Sequence, residues 1–390
     1  MLQQAIASLS LALLMLVPAE AVCSQLVVPD NYAKIQDAID AAAAGDVILV
    51  KNSQGQASNI PVIIDKALTI VGEPYLELEV VECGNYPIPF GAVWLAGPGS
   101  GTVTLIGLRT EIPGYDCVWP APFVAGGGFD ALHIYDSDMR PANGGQTGTG
   151  YAGHAIDVDV NRVVVVNSTI TGGSVRDYDC GGMPGVSAGT AIRLPGGTVV
   201  ALDSTLVGGS GISTCCTYCS CPPDLTGING VGGVAVEAAL LYSAGTSITG
   251  GSGAEYLAYL GGVSGQPPSC GYLADGAAMV VGSSVSLSGD FLGSSGPLVQ
   301  GLSWTLSWDL SSPMNELFWS PNLGAPTQTP WGLTFLDLSF LVDIGPLPPG
   351  PGRVTIQVPN DPFIAGVEVV VQVLGSSSGL SLPVLTAVVP

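Results

Sequence analysis

The octapeptide Asn167-Ser168-Thr169-Ile170-Thr171-Gly172-Gly173-Ser174 returns as Asp203-Ser204-Thr205-Leu206-Val207-Gly208-Gly209-Ser210 and as Gly245-Thr246-Ser247-Ile248-Thr249-Gly250-Gly251-Ser252, with a fainter copy over residues 288–295. Self-similarity on this scale marks a solenoid, in which each unit buries its apolar face only against its neighbours. Every copy follows a short apolar strand, and another strand lies upstream of each, at Ala155-Ile156-Asp157, Ala191-Ile192-Arg193, Ala235-Val236-Glu237 and Ala278-Met279-Val280. Two or more strands per repeat, with almost no helix-forming run between them, predict an all-β chain built as a parallel β-helix.

With Asp136, Asn167, Asp203 and Gly245 as markers, successive intervals are 31, 36 and 42 residues, so the coils lengthen along the chain. The extra length sits at one corner, after each Gly-Gly-Ser turn, over 175–189, 212–232 and 254–276. These insertions are expected to stack on one side as a shelf.

Ahead of the repeats, Ile35, Ala38, Ile39 and Ala42 fall at the spacing of one helical face, and Gly45 supplies a stop. An amphipathic helix just before the first strand, Val47 to Val50, would cover the open apolar end of a solenoid. On these residues, and on the repeat pattern over roughly 26–297, the chain resembles the pectin-lyase-like, right-handed parallel β-helix proteins. The resemblance implies a right-handed coil, and roughly eight of them are expected. From residue 298 the repeat fails and aromatic residues gather: Trp304, Trp308, Phe318, Trp319, Trp331, Phe335 and Phe340. Val367 to Val373 reads as a buried strand followed by a Gly/Ser turn. Residues 298–390 are read as a small β-sandwich. The run Ile364-Ala365-Gly366-Val367 through Leu374, then Gly379-Leu380-Ser381-Leu382, resembles the C-terminal module of secreted planctomycete-type bacterial proteins, which implies secretion.

Residues 1–24 read as a signal peptide: Ala5 to Val17 is apolar or small and too short to span a membrane, and cleavage would follow Ala21 or Ser24. The second choice removes Cys23 from nine cysteines and leaves an even eight. The expected organisation is therefore a signal over 1–24, a capped β-helix over 25–297 and the sandwich over 298–390. The mature protein is expected to be secreted or at the cell surface, with no transmembrane segment. Nine basic against 31 acidic residues give a net charge of −22, which repels nucleic acid and anionic membranes. The same charge opposes a polyanionic glycan unless divalent cations bridge the two.

Ile156, Val158 and Val160 alternate with Asp157 and Asp159, so the carboxylates point outward. Stacked in register, Asp157, Arg193 and Glu237 form one column, a favourable cross-strand arrangement in its own right. The resemblance implies a second role, since pectate-lyase-type enzymes keep a calcium site and an arginine base on this face. Asp157, Asp159, Arg193 and Glu237 are accordingly the candidate catalytic residues of a β-eliminating lyase or hydrolase. Arg193-Leu194-Pro195 matches the start of an R-x-P-x-x-R pattern, but position 198 is Thr198. Asp136-Ser137-Asp138 could serve a hydrolase, or Asp136 could share a left-handed turn position with Asn167, Asp203 and Gly245. His133 and His154 read as exposed or hydrogen-bonded structural residues. Calcium is not required by any motif, and Asp177 and Asp179 are the candidate extra ligands if one binds. Cys215, Cys216, Cys219 and Cys221 form a dense cluster, read as disulfides with Cys180 and Cys270 as partners; zinc is the rival, and Cys83 would pair with Cys117. The leading functional expectation is a non-catalytic structural or glycan-binding protein. The alternative is a calcium-dependent polysaccharide lyase or glycoside hydrolase.

Overall fold

A computed structural model of the chain describes residues 24–51, 62–78, 92–109, 122–141, 152–176, 188–212, 229–230, 232–252, 254–256, 272–273, 280–286, 291–294, 298–321, 323–360, 367–381 and 383–389. Residues 1–23 of the segment expected to be a signal peptide, Asp177, Asp179 and all eight candidate disulfide cysteines lie outside the described residues.

Fifteen strands form one sheet in which every neighbouring pair is parallel. The long strands Val124–Tyr135, Ile156–Val166 and Ile192–Leu202 explain how one chain builds it. Each has a first segment, a register irregularity, and a second segment; in Ile192–Leu202 the irregularity is the Pro195-Gly196-Gly197 stretch between Leu194 and Thr198. A corner follows, and then a short third strand, such as Thr169–Thr171 or Thr205–Val207. Inward side chains from all three faces meet in one core: Ile156 and Val158 from the first, Val163 and Val165 from the second, Ile170 from the third. The second face counts nine rungs: Gln25–Val28, Val47–Lys51, Thr69–Glu77, Thr102–Arg109, Val124–Tyr135, Ile156–Val166, Ile192–Leu202, Val236–Ala244 and Val280–Ser286. Among the described residues, Gln25–Val28 adds a rung ahead of the helix, before the strand Val47–Lys51.

The helix Ile35–Ala41 buries Ile35, Ala38 and Ile39 against the same core, as their spacing requires. It also covers a sheet edge. The Gln36 side chain accepts from the Ile63 amide at 2.8 Å and donates to the Ile63 carbonyl at 3.2 Å, satisfying the outermost strand of the first face.

The corner between second and third faces is repeated in chemistry as well as shape. Asp136, Asn167, Asp203 and Gly245 take φ of 49°, 48°, 47° and 60°, a left-handed backbone that Asn, Asp and Gly tolerate best. The next residue is always a hydroxyl. Ser137, Ser168, Ser204 and Thr246 each donate to the carbonyl two residues back, at 2.7, 2.8, 2.7 and 3.0 Å. Each of the last three then accepts the backbone amide of its counterpart one coil earlier. Turn spacing and strand register agree: Tyr135 pairs with Val166, Val166 with Leu202 and Leu202 with Ala244, the 31-, 36- and 42-residue intervals of the sequence.

Where each third strand ends, the backbone meets the start of its own coil and of the next. Gly173 donates to Gly153, Gly189 to Gly173, Gly209 to Gly189, Gly233 to Gly209 and Gly251 to Gly233, at 2.7–2.9 Å. A Cβ at Gly189, Gly209, Gly233 or Gly251 would lie 1.7–1.9 Å from a carbonyl oxygen, so no side chain fits along this seam. The insertions leave from it. Their described ends pair with one another: Val175–Arg176 with Gly211–Ile212, and Asn229–Gly230, Ala254–Tyr256 and Tyr272–Leu273 as a three-stranded antiparallel sheet.

The C-terminal part contributes two further layers. Phe291–Ser294, Ser303–Leu310 and Gly350–Gln357 form an antiparallel sheet, so the faint fourth repeat copy pairs with the C-terminal strands instead of extending the parallel sheet. A six-stranded sheet centred on Glu368–Gly375 lies across from it, and Trp304, Trp308, Leu317, Trp319, Val369 and Val371 fill the space between. The opposite side of the six-stranded sheet, through Val370, Leu385 and Ala387, packs on outward residues of the parallel sheet's second face, among them Val164, Val166, Val200 and Leu202. Tyr242 and Phe335 meet edge to face across this junction, with ring centroids 6.0 Å apart. Val163 to Val166 is therefore buried on both sides, and an unbroken valine run is the composition such a strand requires.

Among the described residues, no helix is long and apolar enough to cross a membrane.

Candidate functional site

With the second face covered by the C-terminal sheets, the first face carries the outward charged groups singled out from the sequence. Parallel pairing places Asp157 beside Arg193 and Arg193 beside Glu237. Arg193 donates from Nη1 to both carboxylate oxygens of Asp157 at 3.2 Å, and its Nε lies 3.5 Å from Glu237 Oε2. The three side chains are 29–41% exposed, so solvent screens the pairs and their individual contributions are small. One guanidinium is thus held between two carboxylates, and the column carries one net negative charge.

Asp159 is not part of this cluster. It occupies the next outward position, beside Gly127, where it is exposed. The four residues proposed together from the sequence therefore separate into a joined trio and a solitary carboxylate.

His154 enters from just outside the strand. The Thr190 amide donates to its Nδ1 at 3.0 Å, which puts the proton of the neutral ring on Nε2. Burial lowers the His154 pKa below the ordinary histidine value and Arg193 adds to the effect, against the opposing pull of Asp157 and Glu237. His154 is thus electrostatically coupled to the whole trio, a role that its position outside the alternating pattern gave no sign of.

The column also continues below the charges. Ile63 pairs with Trp94, Trp94 with Ala125, and Ala125 with Asp157. At a rung spacing of about 4.8 Å, the half-buried Trp94 sits two rungs from Asp157 on the same outward line. The sequence reading missed Trp94 because the first two coils lack the octapeptide that set the register of the others.

A second polar cluster lies at the junction with the C-terminal sheets. His133 is buried, and its Nδ1 contacts Glu368 Oε1. Thr104 Oγ1 donates to the same oxygen at 3.4 Å. Burial alone would raise the Glu368 pKa, but His133, Tyr135 and Arg162 together hold its carboxyl below the usual glutamate range. Tyr135, wholly buried with its hydroxyl beside this carboxylate, is pushed well above the ordinary phenol value, chiefly by desolvation and then by Glu368. Arg162 donates from Nη1 to the Gly324 carbonyl at 2.9 Å, a further bond across the junction. His133 is thus the hydrogen-bonded structural residue of the two readings entertained for it.

Among the described residues, no group of three or more His, Cys, Asp or Glu side chains is arranged to hold a metal ion. No family model, curated protein or solved structure matches this chain.

Proposed function

We propose that the protein is a secreted or cell-surface β-helix protein whose first face binds a hydroxyl-rich, uncharged glycan without transforming it. In this reading the curled sheet closes along the glycine seam as a right-handed coil, and the C-terminal sheets brace its second face. The observation that carries the reading is Arg193 bonded on both flanks: its charge is spent within the column, while the column still offers carboxylate acceptors to sugar hydroxyls. Trp94, two rungs away, supplies the aromatic surface on which a pyranose ring packs. The net charge of −22 favours an uncharged chain over a uronate polymer.

A second reading has its own observation. His154 is held as one tautomer by the Thr190 amide and feels the charges of Asp157, Arg193 and Glu237, an arrangement with acid–base capacity for a calcium-dependent lyase or a hydrolase acting on an acidic polysaccharide.

Calorimetric titration of the protein with neutral and acidic oligosaccharides, run alongside assays for unsaturated uronates and new reducing ends, separates the two. The binding reading expects affinity for a neutral glycan that falls about tenfold in Trp94→Ala, with no product formed. Calcium-dependent uronate release that disappears with chelator and in Arg193→Ala would replace it with the lyase reading.

A further inference from the structure

The outward side of the second face repeats itself from rung to rung. Val164 and Val166 are followed in register by Val200 and Leu202, and preceded by His133 and Tyr135. Apolar contact is non-directional, and parallel rungs recur every 4.8 Å or so. A sheet packed on such a surface through Val370, Leu385 and Ala387 would meet nearly the same contacts after sliding by one rung.

One place on the surface breaks this equivalence. His133 and Thr104, neighbours in register, form a polar notch in the apolar stripe. Glu368, at the start of the central C-terminal strand, enters it. The side chains of His133 and Glu368 are only 3% and 11% exposed. Moved one rung toward Val164, the Glu368 carboxylate would meet that valine where His133 now stands, and moved one rung the other way it would meet Thr104 there, so either shift gives up the imidazole contact while the carboxylate stays buried, which is unfavourable. The other ionisable groups around the contact are Tyr135 and Arg162, with Asp130 and Asp136 acting on them from the same strand and its corner.

We propose that Glu368 and His133 are a registration pin: a buried polar contact whose role is to select the one rung on which the C-terminal sheets dock. A pin of this kind contributes specificity more than stability, so replacing both partners by apolar residues should leave the chain folded and let the docked sheets slip.

The test is a distance distribution between spin labels carried by unnatural amino acids at Asp159 on the solenoid and Asp309 on the outer C-terminal sheet, both exposed, in the full chain. The parent and Glu368→Gln, which keeps a hydrogen-bonding side chain in the notch, should each show one narrow peak. The double variant His133→Val with Glu368→Val should show a second population displaced by up to about 4.8 Å. Glu368→Val alone should show it too, and decides the matter if the double variant does not fold. A single narrow peak at the parent distance in Glu368→Val would overturn the proposal.

Discussion

At the corner residues, backbone conformation dictates side-chain choice, and the side chain then sets its own electrostatics. Burial raises the pKa of Asp136 above the ordinary aspartate value, against a lowering hydrogen bond from Asn167 Nδ2. A raised folded-state pKa means that ionised Asp136 costs stability above that pKa, and that the cost vanishes as falling pH protonates it. Asp136→Asn keeps a residue that tolerates the left-handed φ while removing the charge. It should raise neutral-pH stability by on the order of 0.5 kcal/mol in denaturant titrations, with the gain lost in acid. The corner was legible from the sequence because few residue types accept that backbone, so Asp136, Asn167, Asp203 and Gly245 announced one another. His133 was not legible: its partner lies 235 residues away, and no local pattern can encode such a pairing.

Among the elements, the repeat carried most of the information. It puts Asp157, Arg193 and Glu237 in one column, as the strand register does, since a parallel stack at fixed turn positions leaves the strands only one register. Asp159 falls outside that column in the sequence as well, and joins the trio as a candidate only because alternation puts it on the same outward side. The repeat did not disclose the second face's covering, although Val163–Val166 and Val199–Leu202 break the alternation of the first segments and so record apolar contacts on both sides. The seam yields the sharpest prediction at this scale. Gly209→Ala would drive a methyl into the Gly173 carbonyl, 1.9 Å away, with only backbone available to yield. It should destabilise the protein by about 3 kcal/mol or more in equilibrium unfolding, whereas Gly196→Ala, in open space, should cost mainly the strain of its φ of 90°.

In the whole molecule, the parallel sheet and the C-terminal sheets share an apolar junction in which, among the described residues, the buried carboxylate is that of Glu368. Its carboxyl titrates below the usual glutamate range in the folded protein, so its contribution is complete above the unfolded value, about 4.3, and disappears as pH falls through the lower folded one. Hydrogen exchange should therefore accelerate at Val370 and Val371 in strong acid before it does at Val164 and Val200 in the parallel sheet. Glu368→Gln should flatten that difference; equal acid sensitivity in parent and variant would count against the assignment. The glycine seam has a consequence of another kind. Each coil departs from the stack and rejoins it between backbone atoms that have no side chains to rearrange, so the chain can be lengthened there without the rest of the structure registering the change. The growth from 31 to 36 to 42 residues per coil is that freedom in use: the seam works as a row of sockets, in which the exterior of the molecule can be rewritten coil by coil while its interior keeps one grammar.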